Sequence, residues 1–129
     1  MPATIVVCGA PHAGKSTYAR AIASAGCKLV HLDSLIAGHA WSEQSDIASR
    51  YFDAPTESMI IEGCAAVRAL RKWLERNPTG RPCERVIRLT TPFIPHSAGQ
   101  ARLAAGESTI WEQVYPQLLA RGVAVQIGG

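Results

Sequence analysis

Gly9-Ala10-Pro11-His12-Ala13-Gly14-Lys15-Ser16 sets two glycines, a lysine and a hydroxyl at the spacing G-x-x-x-x-G-K-[ST]. That spacing suits the holding of phosphate. Gly9 and Gly14 let the backbone turn where a side chain would block it, and let it approach a phosphate closely. The amide N–H groups of residues 12 to 17 then point inward as a nest, and the positive end of the following helix adds its dipole. In such a loop Lys15 reaches the β- and γ-phosphates and the Ser16 hydroxyl ligates Mg²⁺. Thr17 falls in the first helical turn, near the phosphates. Gly9, Ala10, Pro11, His12, Ala13, Gly14, Lys15, Ser16 and Thr17 are therefore the candidate nucleotide-binding residues. Lys15 is also a catalytic candidate, and Ser16 a metal ligand.

The loop needs a strand before it and a helix after it. The apolar run Thr4 to Cys8 reads as a buried strand, and Ser16 to Ala25 as a helix stopped by Gly26. Further strands are expected at 27–32, 58–61, 84–90 and 123–127. Helical pieces are expected at 34–40, at 43–52 behind a Ser42 N-cap, and at 65–76, where Val67, Leu70 and Leu74 keep core spacing. Residues 91–99 hold Pro92, Pro95 and Gly99 and read as a loop. A short helix is expected over 100–105, broken at Gly106. Ser108 then caps another to Ala120, which Pro116 kinks or splits. Strands and helices alternate, which predicts an α/β fold with a parallel sheet and helices on both faces. In such sheets ligands bind at the carboxyl ends of the strands.

Two carboxylates stand at those ends. Glu62 follows Met59-Ile60-Ile61, the arrangement that holds Mg²⁺ or its water in phosphoryl-transfer sites. Asp is the usual residue there, so Glu62 acts on the metal directly, through water, or on the substrate. Asp33 follows the second strand. It either accepts a proton from a substrate hydroxyl as a base, anchors the substrate, or caps the next helix. Arg102 is the one Lys or Arg between Leu89 and Ala120. It is the candidate cation for charge spread over the transferred phosphoryl oxygens. His96 reads as a surface residue.

The stretch from Arg68 to Arg88 is basic: Arg68, Arg71, Lys72, Arg76, Arg81, Arg85 and Arg88 face only Glu75 and Glu84. It is either a solvated face, with Arg71 and Glu75 paired at i,i+4, or it lets Arg68 or Arg71 grip an anionic substrate. No aromatic interleaving supports a nucleic-acid surface. Trp41, Trp73 and Trp111 read as core or cleft-wall residues.

At 129 residues, 47% hydrophobic and 18% charged, the chain suits one domain over residues 1–129. A net charge of +3 is too small to argue for nucleic acid. No Lys or Arg precedes Lys15, so the basic region of a signal peptide is missing, and no apolar run approaches a membrane span. A cytoplasmic protein with no membrane partner is expected. Cys8, Cys27, Cys64 and Cys83 show no C-x-x-C spacing, which points away from a zinc or thioredoxin-type site.

Gly9 to Thr17, Leu32-Asp33 and Ile60-Ile61-Glu62-Gly63 together resemble the P-loop nucleoside and nucleotide kinase group. These motifs cover the first half of the chain, and element order alone covers the rest. The resemblance implies a three-layer P-loop NTPase fold, with a five-stranded parallel sheet in order 2-3-1-4-5. It also implies ATP and Mg²⁺ on Lys15 and Ser16, and Asp33 and Glu62 near the phosphate acceptor. Two features differ from the group: the region after the fourth strand is short and holds only Arg102, and no loop and helix follow the fifth strand. Neither D-x-x-G nor N-K-x-D is present, which disfavours a GTPase. The expected activity is transfer of the ATP γ-phosphate to a small-molecule or nucleotide acceptor that the sequence does not specify. The alternatives are a nucleotide-binding regulatory or partner module without efficient catalysis, and an ATPase acting with nucleic acid.

Overall fold

The computed structural model describes residues 2–23, 26–53, 55–92 and 94–128. Its order of elements is β1 (Thr4–Gly9), α1 (Lys15–Ile22), β2 (Lys28–His31), α2 (Leu32–Ile36), α3 (Trp41–Ser49), a 3₁₀ turn (Arg50–Phe52), β3 (Met59–Glu62), α4 (Ala66–Arg76), β4 (Arg85–Leu89), α5 (Ala98–Ala120) and β5 (Ala124–Gly128). The five strands form one sheet in the order β2-β3-β1-β4-β5, and every neighbouring pair is parallel.

β1 is central because its middle is apolar: Val6, Val7 and Cys8 are wholly buried. Alternation along the strands sends side chains to two faces. Val6, Cys8, Ile61 and Val86 pack against the layer of α3, α4 and α5. Val7, Ile60, Ile87 and Leu89 pack on the other side, against Ala13, Ala19 and Tyr18 of the α1 side. α4 owes its place to Ala66, Val67, Ala69, Leu70, Trp73 and Leu74, an apolar stripe at helical spacing that is buried along its length.

The chain leaves β1 towards β2, returns to β3, and then crosses to β4 on the opposite side of β1. The reversal lies beside the carboxyl end of β1. In an open parallel sheet this is where a crevice forms. Gly9 closes that end. Its φ is +144°, and a Cβ there would stand 2.2 Å from the Leu89 carbonyl oxygen. Gly9→Ala must therefore push β1 off β4. It is expected to destabilise the chain by about 2 kcal/mol or more. A urea midpoint equal to the wild type's would contradict this.

Three local expectations need correction. Ser42 does not cap a helix: α3 starts at Trp41 with Ala40 at its N-cap. The side chains of Trp41 and Ser42 lie outside the described residues. The helix expected from residue 34 instead follows β2 without a break, so Asp33 sits in its first turn. The two helices expected on either side of Gly106 are one, α5, which runs 23 residues through both Gly106 and Pro116. Ser97, not Ser108, caps it, in a box with Gln100 in which each side chain meets the other's backbone N–H. Gly costs a helix about 1 kcal/mol and Pro about 3. Burial of Trp111, Val114 and Leu118 on α5 outweighs them, at about 1.5–3 kcal/mol for each large apolar side chain. Among the described residues no helix is long and apolar enough to cross a membrane.

Candidate phosphate-binding site

Residues 9 to 14 turn the chain from β1 into α1. Three positive φ values shape the turn: Gly9 at +144°, His12 at +62° and Gly14 at +82°. Gly14 is the N-cap of α1, where left-handed backbone suits glycine. No side chain caps α1, and no acidic residue stands in its first turn. Its N-terminal N–H groups thus meet no acidic side chain from the helix itself.

Lys15 is buried, at 7% exposure. Its Nζ donates to the Ala10 carbonyl at 2.7 Å, so the lysine folds back across the loop that precedes it. Among the described residues it forms no ion pair with a carboxylate. The Ser16 hydroxyl donates to Glu62 Oε1 at 2.9 Å. Glu62, 6% exposed, ends β3 next to β1, with Val7 as its register partner. His31, level with Glu62 on β2, places Nδ1 3.0 Å from the same oxygen, within hydrogen-bond distance.

Asp33 serves neither its own helix nor the one after it. Its Oδ2 accepts from the Cys64 N–H at 2.9 Å and its Oδ1 from the Ala65 N–H at 3.0 Å. It thereby caps the start of α4 from across the rim. Gly63 makes room for this: at φ +152°, a Cβ there would lie 2.7 Å from Asp33 Oδ1.

These groups line one open cavity of about 390 Å³. Its wall includes Pro11, His12, Gly14, Lys15, Ser16, Thr17, Asp33, Ser34, Glu62 and Cys64. Four candidates from the ends of three strands, Lys15 and Ser16 after β1, Asp33 after β2 and Glu62 on β3, therefore share a space. Gly9, Ala10 and Ala13 do not line it; the Ala10 carbonyl holds Lys15, and Ala13 lines another cavity beside α1. Arg68 and Arg102 do not line the first cavity either. They face a second cavity, of about 340 Å³, between α4 and α5, which touches the first at Cys64. Arg71 lines neither. It reaches Glu75 at 3.9 Å and Gln113 Oε1 at 3.4 Å on the outer face. The basic run is also dispersed: Arg88 is buried against Glu107, Arg76 bonds Ser49 and pairs with Asp53, and Arg81 reaches the Gly122 carbonyl. A third cavity, of about 370 Å³, opens between α1 and the ends of β4 and β5, past Thr17, Tyr18, Leu89 and Gln126.

Sequence reasoning missed two sets of contacts. His96, expected at the surface, is half-buried and donates through Nε2 to the Pro11 carbonyl at 2.7 Å. Gln100 donates to His12 Nε2 at 2.8 Å, so the start of α5 rests on the glycine-rich loop. The capping box of Ser97 and Gln100 was a usable signal for this helix start, whereas nothing local marks His96 or His31. Cys64 is the other omission. Burial pushes its thiol pKa up, and the nearby Lys15 partly opposes this.

Ser16 and Glu62 are the two side chains of the cavity that could hold a divalent cation together. The hydroxyl of Ser16 and the carboxylate of Glu62 are hard oxygens of the kind Mg²⁺ prefers, which keeps much of its water besides. Among the described residues no group of three His, Cys, Asp or Glu side chains forms a closed metal site.

The four cysteines are free. Burial drives the Cys8 thiol up to about 12 and the Cys83 thiol well above its ordinary value. Cys27 and Cys64 are only half-buried. A disulfide reagent at pH 8 is expected to modify Cys27 and Cys64 in the native chain, and Cys8 and Cys83 only after unfolding. Equal rates at all four thiols would contradict this.

No protein-family model matches the chain, and no curated protein matches it.

Proposed function

We propose that the chain binds ATP·Mg²⁺ in the loop of residues 9 to 17 and transfers the γ-phosphoryl group to an oxygen of a small acceptor. The observation that carries this reading is Lys15. A buried ammonium held by a carbonyl, with no ion pair to a carboxylate among the described residues, favours an anion beside it. The open N-terminus of α1 points to the same ligand.

Bound ATP·Mg²⁺ would supply the phosphoryl group and the metal charge. Lys15 stabilises the negative charge on the phosphate oxygens. The Ser16 hydroxyl and the Glu62 carboxylate would hold the metal, and the hydrogen bond from His31 would orient Glu62. Asp33 lines the same cavity and, besides the two N–H groups it accepts, has lone pairs left for an acceptor hydroxyl. Transfer forms a bond from the acceptor oxygen to the γ-phosphorus and breaks the bond to the β–γ bridging oxygen. The electron pair leaves with ADP, and the acceptor proton passes to Asp33 and then to water. The third cavity, beside Thr17 and Tyr18, is the proposed place for the base of the nucleotide.

A screen of acceptors with γ-labelled ATP tests the reading. Label should move to at least one acceptor. Asp33→Ala should slow that transfer by roughly 10²–10⁴-fold. Full activity in Asp33→Ala would remove its role as base. One observation favours a second reading, a nucleotide-binding module without efficient catalysis: no arginine lines the phosphate cavity among the described residues. Tight ATP binding without transfer to any acceptor would establish that alternative.

A further inference from the structure

We infer that the cavity between α4 and α5 is the acceptor site, and that it takes a small organic oxyanion with an apolar body. The inference rests on the phosphoryl-transfer reading above and adds the chemistry of the second substrate.

The cavity combines two features that seldom meet. Its walls are apolar: Val67 from α4, and Leu103, Gly106 and Ile110 from α5. Two guanidiniums face it, Arg68 from α4 and Arg102 from α5. Glu107 also lies on its floor, yet both of its oxygens are taken by Arg88 at 2.6 Å. Arg102 therefore brings the cavity a positive charge that Glu107 does not offset. Among the described residues Arg102 has no hydrogen bond or ion pair. Arg102 is solvent-exposed, so its guanidinium can meet an entering anion without first breaking a protein contact. The guanidinium fork matches a carboxylate or a phosphate, and the walls supply hydrophobic area for the rest of the ligand. About 340 Å³ lies at the small end of ligand pockets, which run from about 300 to 1,000 Å³.

Position supplies the link to transfer. Cys64 lines both this cavity and the phosphate cavity. Asp33 bonds the Cys64 N–H at that junction. A ligand anchored by Arg68 and Arg102 can thus present an oxygen past Cys64 to the phosphate cavity.

Three probes test this on the full, nucleotide-free chain by calorimetry: naphthalene-2-carboxylate, 2-naphthyl phosphate and the neutral naphthalene-2-carboxamide. At least one anion should bind roughly tenfold or more tightly than the carboxamide, as a charged hydrogen bond implies. The tighter anion identifies the oxyanion. Gly106→Leu fills the cavity. A Cβ at Gly106 meets nothing within 4 Å, and leucine favours the helix, so the variant should fold. It should weaken anion binding at least tenfold while ATP binding is kept. Arg102→Gln should weaken the anions and spare the carboxamide. Equal binding of anion and carboxamide overturns the inference. So does anion binding that survives Gly106→Leu, or that is lost in Lys15→Ala, which would place the probe on the glycine-rich loop. ATP binding with no anion binding sinks this inference alone. Anion binding with no ATP binding sinks the phosphoryl-transfer reading and leaves an anion cavity.

Discussion

Glu107→Gln is expected to destabilise the chain by about 3–5 kcal/mol, the usual cost of removing one partner from a buried ion pair. Arg88 reaches Glu107 through both Nη atoms at 2.6 Å, and the two side chains are 8% and 1% exposed. Burial alone would push the Arg88 guanidinium down. The hydrogen bonds and charge of Glu107 outweigh it and hold the guanidinium above its usual range. The Trp111 ring lies 4.8 Å from the same guanidinium. An amide at 107 keeps the shape but leaves the cation buried without a counter-charge. Since Arg88 is on β4 and Glu107 on α5, the loss should appear as earlier global unfolding in urea. Replacing both residues, as in Arg88→Met with Glu107→Leu, should recover most of it, because both charges then leave together. A loss below about 1 kcal/mol for Glu107→Gln would contradict this account of how α5 is held.

Lys15→Ala should separate binding from stability. ATP·Mg²⁺ affinity is expected to fall roughly a hundredfold or more, as two charge-assisted contacts at about 1.5–3 kcal/mol each would require. Stability should stay level or rise. The ammonium is 7% exposed and its hydrogen bond goes to the Ala10 carbonyl. Its removal therefore relieves a desolvated charge. Calorimetry and urea unfolding on the same variant read the two effects. A variant that loses stability while keeping its ATP affinity would make Lys15 a structural residue.

Much of this was legible in the sequence because the signals were local. Short apolar runs marked β1 and β3, and Gly9, Gly14 and Lys15 marked the turn into α1. The sheet order, 2-3-1-4-5, came from resemblance and agrees with the observed pairing. α5 was divided in two because Gly106 and Pro116 were weighed as breakers. The buried positions 107, 111, 114 and 118 on one face are decided by packing, which no local signal reports. The same holds for partners distant in sequence. Asp33 meets residues 64 and 65, and His96 meets residue 11. Residue type located Asp33 at the rim but could not say which backbone it would hold. Arg71, grouped with Arg68 by proximity in sequence, lines neither cavity and instead reaches Glu75 and Gln113, a partner on α5 that no local signal reports.

The central claim is that residues 9 to 17 bind a magnesium nucleotide. Its most direct test is a calorimetric titration of the nucleotide-free wild-type chain with ATP, with and without Mg²⁺. The account predicts saturable one-to-one binding that Mg²⁺ strengthens, and that Glu62→Gln makes insensitive to Mg²⁺. No heat of binding under either condition would contradict it.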